Sequence, residues 1–112
     1  MEIANKRKYD RVKVPSNALV VWKIGTQKTV SPVENLGLGG LFVRTRTPPP
    51  AGSTLLMLFN TPQGEVRVRA IVKLVKEDGM GVGIVSMEQE DRGRLDRWLR
   101  QLTFAEEATA KN

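Results

Sequence analysis

The chain has 112 residues, with 18 lysines and arginines against 12 aspartates and glutamates, a formal net charge of +6, and neither cysteine nor histidine. That length suits one domain whose core needs no covalent staple, and the missing residue types exclude disulfides, the usual zinc sites and the Ser-His-Asp and Cys-His nucleophilic arrangements. The basic excess favours an anionic partner: a nucleotide, a nucleic acid or an acidic protein surface.

Met1 to Arg11 is polar and charged, with no apolar stretch of the kind a signal peptide carries. No run approaches the roughly 20 apolar residues of a membrane helix. A soluble, cytoplasmic protein without membrane insertion is expected. Residues 1–11 read as a flexible basic arm, 12–104 as one folded unit and 105–112 as a disordered tail.

Strand-like segments follow the arm. Val12 to Val14 is short and stops at Pro15; Ala18 to Ile24 ends at Gly25; Thr29 to Leu36 continues the pattern, interrupted by Pro32. Gly37, Gly39 and Gly40 break the chain, and Leu41 to Thr45 resumes it. Pro48 to Pro50 is a stiff connector without ladder donors, and Thr54 to Phe59 reads as a buried strand.

Glu65 to Val75 is the clearest strand. Val66, Val68, Ala70, Val72 and Leu74 alternate on one face, with Arg67, Arg69 and Lys73 on the other. Glu77-Asp78-Gly79 predicts a tight hairpin, in which Asp-Gly would supply positive φ, and Met80 to Met87 is the partner strand. The period then changes. Leu95, Trp98, Leu99 and Leu102 lie at i, i+3, i+4, i+7, one face of a helix, although Gly93 costs it about 1 kcal/mol against alanine. Trp22 and Trp98 are expected in the core; Arg92, Arg94, Arg97 and Arg100 are expected on a solvated helix face. Six or seven short strands followed by one helix suggest a barrel or a sandwich.

The twelve carboxylates are scattered, and none pairs with another as a poised acid and base. No enzymatic activity and no cofactor are expected. Two clusters carry the chemistry instead. Arg7 and Arg11 stand four apart just before the first strand, and Asn35-Leu36-Gly37-Leu38-Gly39-Gly40 follows a later one. A guanidinium grips a phosphate with a planar fork and matches the O6/N7 edge of guanine. Asparagine offers donor and acceptor to a base edge. Glycines allow close backbone approach and positive φ. Singly, each cluster is ordinary: a solvated arm and a turn. Together they describe a site for a guanine nucleotide with exposed phosphates.

On these residues the sequence resembles the PilZ family, which pairs an RxxxR motif with a (D/N)xSxxG motif downstream. Arg7 and Arg11 match the first; Asn35 and Gly40 match the second. Val82-Gly83-Ile84 and Gln89 to Leu102 resemble the family's late strand and closing helix, so the likeness spans roughly residues 6 to 102. The resemblance implies an all-β fold, a six-stranded antiparallel β-barrel with a C-terminal α-helix. It also implies a receptor for the second messenger cyclic di-GMP. The arginines would hold phosphates and a guanine, Asn35 a guanine edge, and the Gly39-Gly40 backbone would let the ligand lie close. Lys6 and Lys73 would add charge. Gly37 replaces the motif serine and loses its hydroxyl. The implied mechanism orders the basic arm over the barrel and signals to an unidentified downstream protein. The alternative is a degenerate domain that binds no nucleotide and serves as a protein-interaction adaptor. A nucleic-acid partner is disfavoured by the 5% aromatic content and the mixed charge of the helix.

Overall fold

In a computed structural model, the structure describes residues 11–13 and 18–110, with side chains over 18–103. Among the described residues, seven strands and one helix follow in order: β1 (Arg11–Lys13), β2 (Leu19–Ile24), β3 (Gln27–Gly37), β4 (Gly40–Arg44), β5 (Thr54–Thr61), β6 (Gly64–Lys76), β7 (Gly79–Ser86) and α1 (Gln89–Ala110). All pairings are antiparallel. Strands β3, β2, β5, β6, β7 and β4 pair in sequence, and β4 returns to β3, so six strands close a barrel.

The seventh strand does not widen the ring. Asn35 and Leu36 pair with β4 on one edge and with β1 on the other. β1 therefore takes over the edge of β3 that β2 lines lower down, from Gln27 to Pro32. Arg11, assigned to the arm by sequence, belongs to this strand, because β3 runs on to Gly37 and leaves it an open edge.

Alternation builds the interior. Val20 and Trp22 on β2, Leu55, Met57 and Phe59 on β5, and Val66, Val68, Ala70 and Val72 on β6 all point inward and are buried. Trp22 donates its Nε1–H to Ser31 Oγ at 2.9 Å, which satisfies both polar groups inside the core. Leu74 was expected to continue this row and does not. A bulge between Val72 and Leu74 inserts Lys73, and beyond it Leu74 faces outward, half exposed.

The hairpin after β6 also differs from expectation. Glu77 and Asp78 form the turn, and Gly79 is already paired with Lys76 as the first residue of β7. Among the described residues, positive φ occurs at Gly25, Gly52 and Gly64, so Gly79 does not serve by left-handed backbone. Its value is the missing Cβ, which would meet the Val43 carbonyl oxygen and the Phe42 ring.

Leu95 of α1 is fully buried in the barrel core, with Trp98 and Leu99 packed beside it. β7 pairing with β6 stops at Arg69, leaving the Arg67 N–H without a strand partner on that edge. Asp91, in the first helical turn, accepts that N–H at 3.2 Å and the Arg94 guanidinium at 3.4 Å. Arg94 also reaches the Glu65 carbonyl at 3.4 Å. It is thus a tether between helix and barrel, not part of a wholly solvated face. The helix runs to Ala110, past the boundary expected at 104, consistent with the alanines and glutamates of residues 105–110, good helix formers. Among the described residues, no helix is long and apolar enough to cross a membrane.

Candidate functional site

Strict alternation along β3 would put Asn35 inside with Ser31 and Val33. A bulge prevents it. Val33 pairs with Val43 and Asn35 with Phe42, so Glu34 is an extra residue on β3. One inserted residue reverses which side chains face the core. Leu36 becomes buried, and Asn35 turns to the outer surface, where it is partly exposed.

That surface is a trough. On β7, Met80 and Val82 are fully buried, so Gly79, Gly81 and Gly83 alternate onto the outside. Their neighbours use the bare backbone. Phe42 covers Gly79, Leu74 lies beside Gly81, and Lys73 drapes its stem over Gly83, where a Cβ would stand 2.8 Å from the lysine Cε. The resulting groove, about 450 Å³, is lined by Asn35 and Phe42 on one wall and Lys73 and Leu74 on the other, with Gly81 at the bottom. Arg44 stands at its edge between Glu34, at 3.5 Å, and Asp78, at 3.8 Å, all three exposed.

The backbone of Arg11 and the glycine cluster come together on this edge of the barrel. In the β1–β3 ladder Arg11 lies opposite Gly37, and Lys13 opposite Asn35. The Gly39 carbonyl accepts the Ile84 N–H at 2.9 Å, and Gly40 pairs with Gly83, so the glycine loop is fastened to the strand that floors the trough. Gly37, Gly39 and Gly40 are absent from the positive-φ set, which removes one of the two reasons for their presence. Close approach remains. Lys6 and Arg7, and the side chain of Arg11, lie outside the described residues. Lys73 and Asn35 meet across one groove. Sequence reasoning missed Phe42, Gly79, Gly81 and Arg44. The signal for two of them was the run Gly-Met-Gly-Val-Gly from Gly79 to Gly83, whose period of two marks a strand with one bare face.

A larger cavity, about 870 Å³, opens elsewhere, between the start of α1 and the ends of β5, β6 and β7. Its walls set Arg67, Arg69 and Arg94 against Glu65, Glu88, Glu90 and Asp91. Its four carboxylates outnumber its three arginines, and Asp91 is already engaged in holding the helix. The smaller trough sets Arg44, Lys73 and Lys76 against Glu34 and Asp78, with Asn35 among them.

A family model described as PilZ domain matches residues 5–101. No curated protein sequence matches the chain. Among solved structures, the chain is similar to the Bacillus subtilis inhibitor of motility, MotI/DgrA, with a TM-score of 0.73 and 18% identity over 88% of this chain and 52% of that one. It is similar to the PilZ domain of YcgR from Escherichia coli with c-di-GMP, with a TM-score of 0.75 and 14% identity over 96% and 99%. It is also similar to the K. pneumonia MrkH–c-di-GMP complex, with a TM-score of 0.70 and 15% identity over 96% and 55%. At these identities the likeness is one of fold. The chain spans about half the length of the first and third of these proteins and nearly all of the second.

Proposed function

The chain belongs to the PilZ domain family, and on that premise we propose that it is a receptor and adaptor for cyclic di-GMP. The observation that carries the reading is the β1–β3 register, which sets Arg11 opposite Gly37, two register positions from Asn35. Two segments far apart in sequence thereby share one edge, with the trough beside it. YcgR and MrkH, which have this fold, are known with c-di-GMP.

In this reading Arg7 and Arg11 grip the phosphates and the Hoogsteen edge of a guanine, with charge-assisted bonds about twice as strong as neutral ones. Lys6 adds charge beside them. Asn35 reads a guanine edge from the trough wall. The Gly39-Gly40 backbone admits the ligand closely, and Lys73 places an ammonium across the groove. The arm orders as these contacts form, and the reshaped surface is read by a protein partner. Ordering costs about 1–2 kcal/mol per backbone residue, which the phosphate contacts must exceed. A receptor for an intracellular second messenger is expected in the cytoplasm.

The second reading, a domain that has lost nucleotide and acts only as an adaptor, is favoured by Gly37, which offers no hydroxyl where the family motif has serine. One hydrogen bond is worth about 0.5–1.5 kcal/mol, at most about tenfold in affinity. Its loss weakens a site that keeps two arginines and does not remove it.

Calorimetric titration of the full chain with cyclic di-GMP separates the readings. The receptor gives saturable heat that Arg7→Ala with Arg11→Ala abolishes, and no response to GTP. Absence of heat and of any thermal shift at high ligand concentration would leave the adaptor.

A further inference from the structure

On the far side of the barrel from the trough, three strands present a different surface. Val30 of β3 lies directly opposite Val21 of β2, which lies opposite Leu58 of β5. Leu19 and Leu56 flank this row. Val30 is 57% exposed, Leu19 53% and Leu56 49%, side chains that water would ordinarily drive inward. They are contiguous across a sheet whose ladders run without a register shift.

Cations border the apolar row. Lys28 sits directly opposite Lys23, which faces Leu56, which faces Arg69; one row over, Leu58 faces Arg67. Like charges placed opposite one another on a sheet cost stability. Arg67 has Glu65 at 3.5 Å. Among the described residues, Lys23, Lys28 and Arg69 have no carboxylate within ion-pair distance. An apolar strip and a set of unpaired cations, each unfavourable in water, thus occupy one side of the barrel, which Leu56, Arg67 and Arg69 join to the cavity beside the start of α1.

We propose that this outer face of β2, β3 and β5 docks a protein partner whose contact surface is apolar at its centre and carries carboxylates along one edge. The identification rests on the adaptor reading above and names the surface through which it acts. Charge complementarity selects the occupant. A second copy of the chain brings the same cations and, on this face, no carboxylate beyond Glu65 to receive them. Aromatic side chains are enriched where proteins meet a lipid surface. The outward residues of β2, β3 and β5 include none, since Trp22 and Phe59 both point into the core. Aliphatic and basic, the face matches the surface of another folded protein. β2 follows β1 directly in the chain, so the docking face and the edge that carries Arg11 share one stretch of backbone.

The test uses the full chain in cells, with a photo-crosslinking amino acid in place of Val30 and, as control, in place of Lys76 beside the trough. A protein adduct forms from position 30 and not from 76. That protein, purified, binds the wild-type chain with an affinity that falls as salt rises. Binding falls about tenfold or more with Leu56→Glu, the loss expected of a central contact, and again with Lys23→Glu and Lys28→Glu together. Leu56 is exposed, so its variant keeps the wild-type unfolding midpoint and the wild-type titration with cyclic di-GMP. The proposal is overturned if no adduct forms at 30, if 30 and 76 give the same adduct, or if Leu56→Glu leaves binding unchanged. Self-association abolished by Leu56→Glu would make the occupant a second copy, and flotation with phosphatidylglycerol vesicles abolished by the same change would make it a membrane; either outcome overturns it. Partner binding by a chain that does not bind cyclic di-GMP would sink the receptor reading alone. Dinucleotide binding without an adduct would sink the docking face alone.

Discussion

The two halves of this barrel are built from the same alternating strands and end up with opposite surfaces. Around β2 the ladders β2–β3, β2–β5 and β5–β6 keep register from end to end, and the outer face is flat, apolar and basic. Around β7 the β3–β4 and β6–β7 ladders are each broken by bulges, at Glu34 on β3, at Lys73 on β6 and at Val85 on β7. Here the outer face is a trough floored by glycine. A regular sheet offers a plane, which fits another protein. A bulged sheet re-aims individual side chains, which fits a small ligand. Asn35 and Lys73 face the same groove because each lies at or beside an inserted residue.

The largest effect that would break this contrast is on stability. Gly79→Ala puts a methyl group against the Val43 carbonyl oxygen and the Phe42 ring. The carbonyl is held in the β4–β7 ladder, so the variant loses about 1–3 kcal/mol in urea unfolding. Thr54→Ala, on the exposed outer face of the regular half, stays within about 0.5 kcal/mol. Equal midpoints would mean that the ring does not rest on β7.

Next in size is Asn35→Ala. It lowers affinity for cyclic di-GMP about tenfold in calorimetry, the upper end for one neutral hydrogen-bonding group. Unchanged affinity would remove Asn35 from the site and leave the bulge at Glu34 without a functional reason. Gly37→Ser runs the other way. Restoring the motif hydroxyl raises affinity by a few-fold, up to about tenfold, and a decrease would show that the bare backbone at this register position matters more than the hydroxyl. Smallest is Val30→Thr on the flat half, which leaves dinucleotide affinity unchanged; a shift there would mean that the two faces are not separate.

Most of the barrel was legible because hydrophobic alternation is a local signal. Val66 to Val72 on β6 read correctly, as did the helix face around Leu95 and the inward Trp22. Bulges are not local. They are decided by which strand pairs with which, so the sequence could not show that Leu74 leaves the core face or that Leu36, not Asn35, enters it. The Glu77-Asp78 turn was placed one residue late because Asp-Gly usually supplies positive φ, whereas Gly79 is there for the ring and carbonyl packed against it. The residue types of the proposed site, Asn35 and the glycines above all, stand out in the sequence by their chemistry, and the structure adds that Asn35 and Lys73 line one groove. Phe42 and Arg44 were not, since an aromatic and an arginine on a strand carry no mark of the groove they border. Arg94 read as one cation of a solvated row because its partner Asp91 is buried only once the helix docks on Arg67.

The most direct measurement is a backbone amide shift map of the full chain with and without cyclic di-GMP. The account predicts changes concentrated at Arg11, Asn35, Gly37, Gly39, Gly81 and Gly83, with Val21, Val30 and Leu58 unmoved. Saturable shifts centred on the β2–β5 face, or on the cavity beside the start of α1, with the trough amides silent, would contradict it.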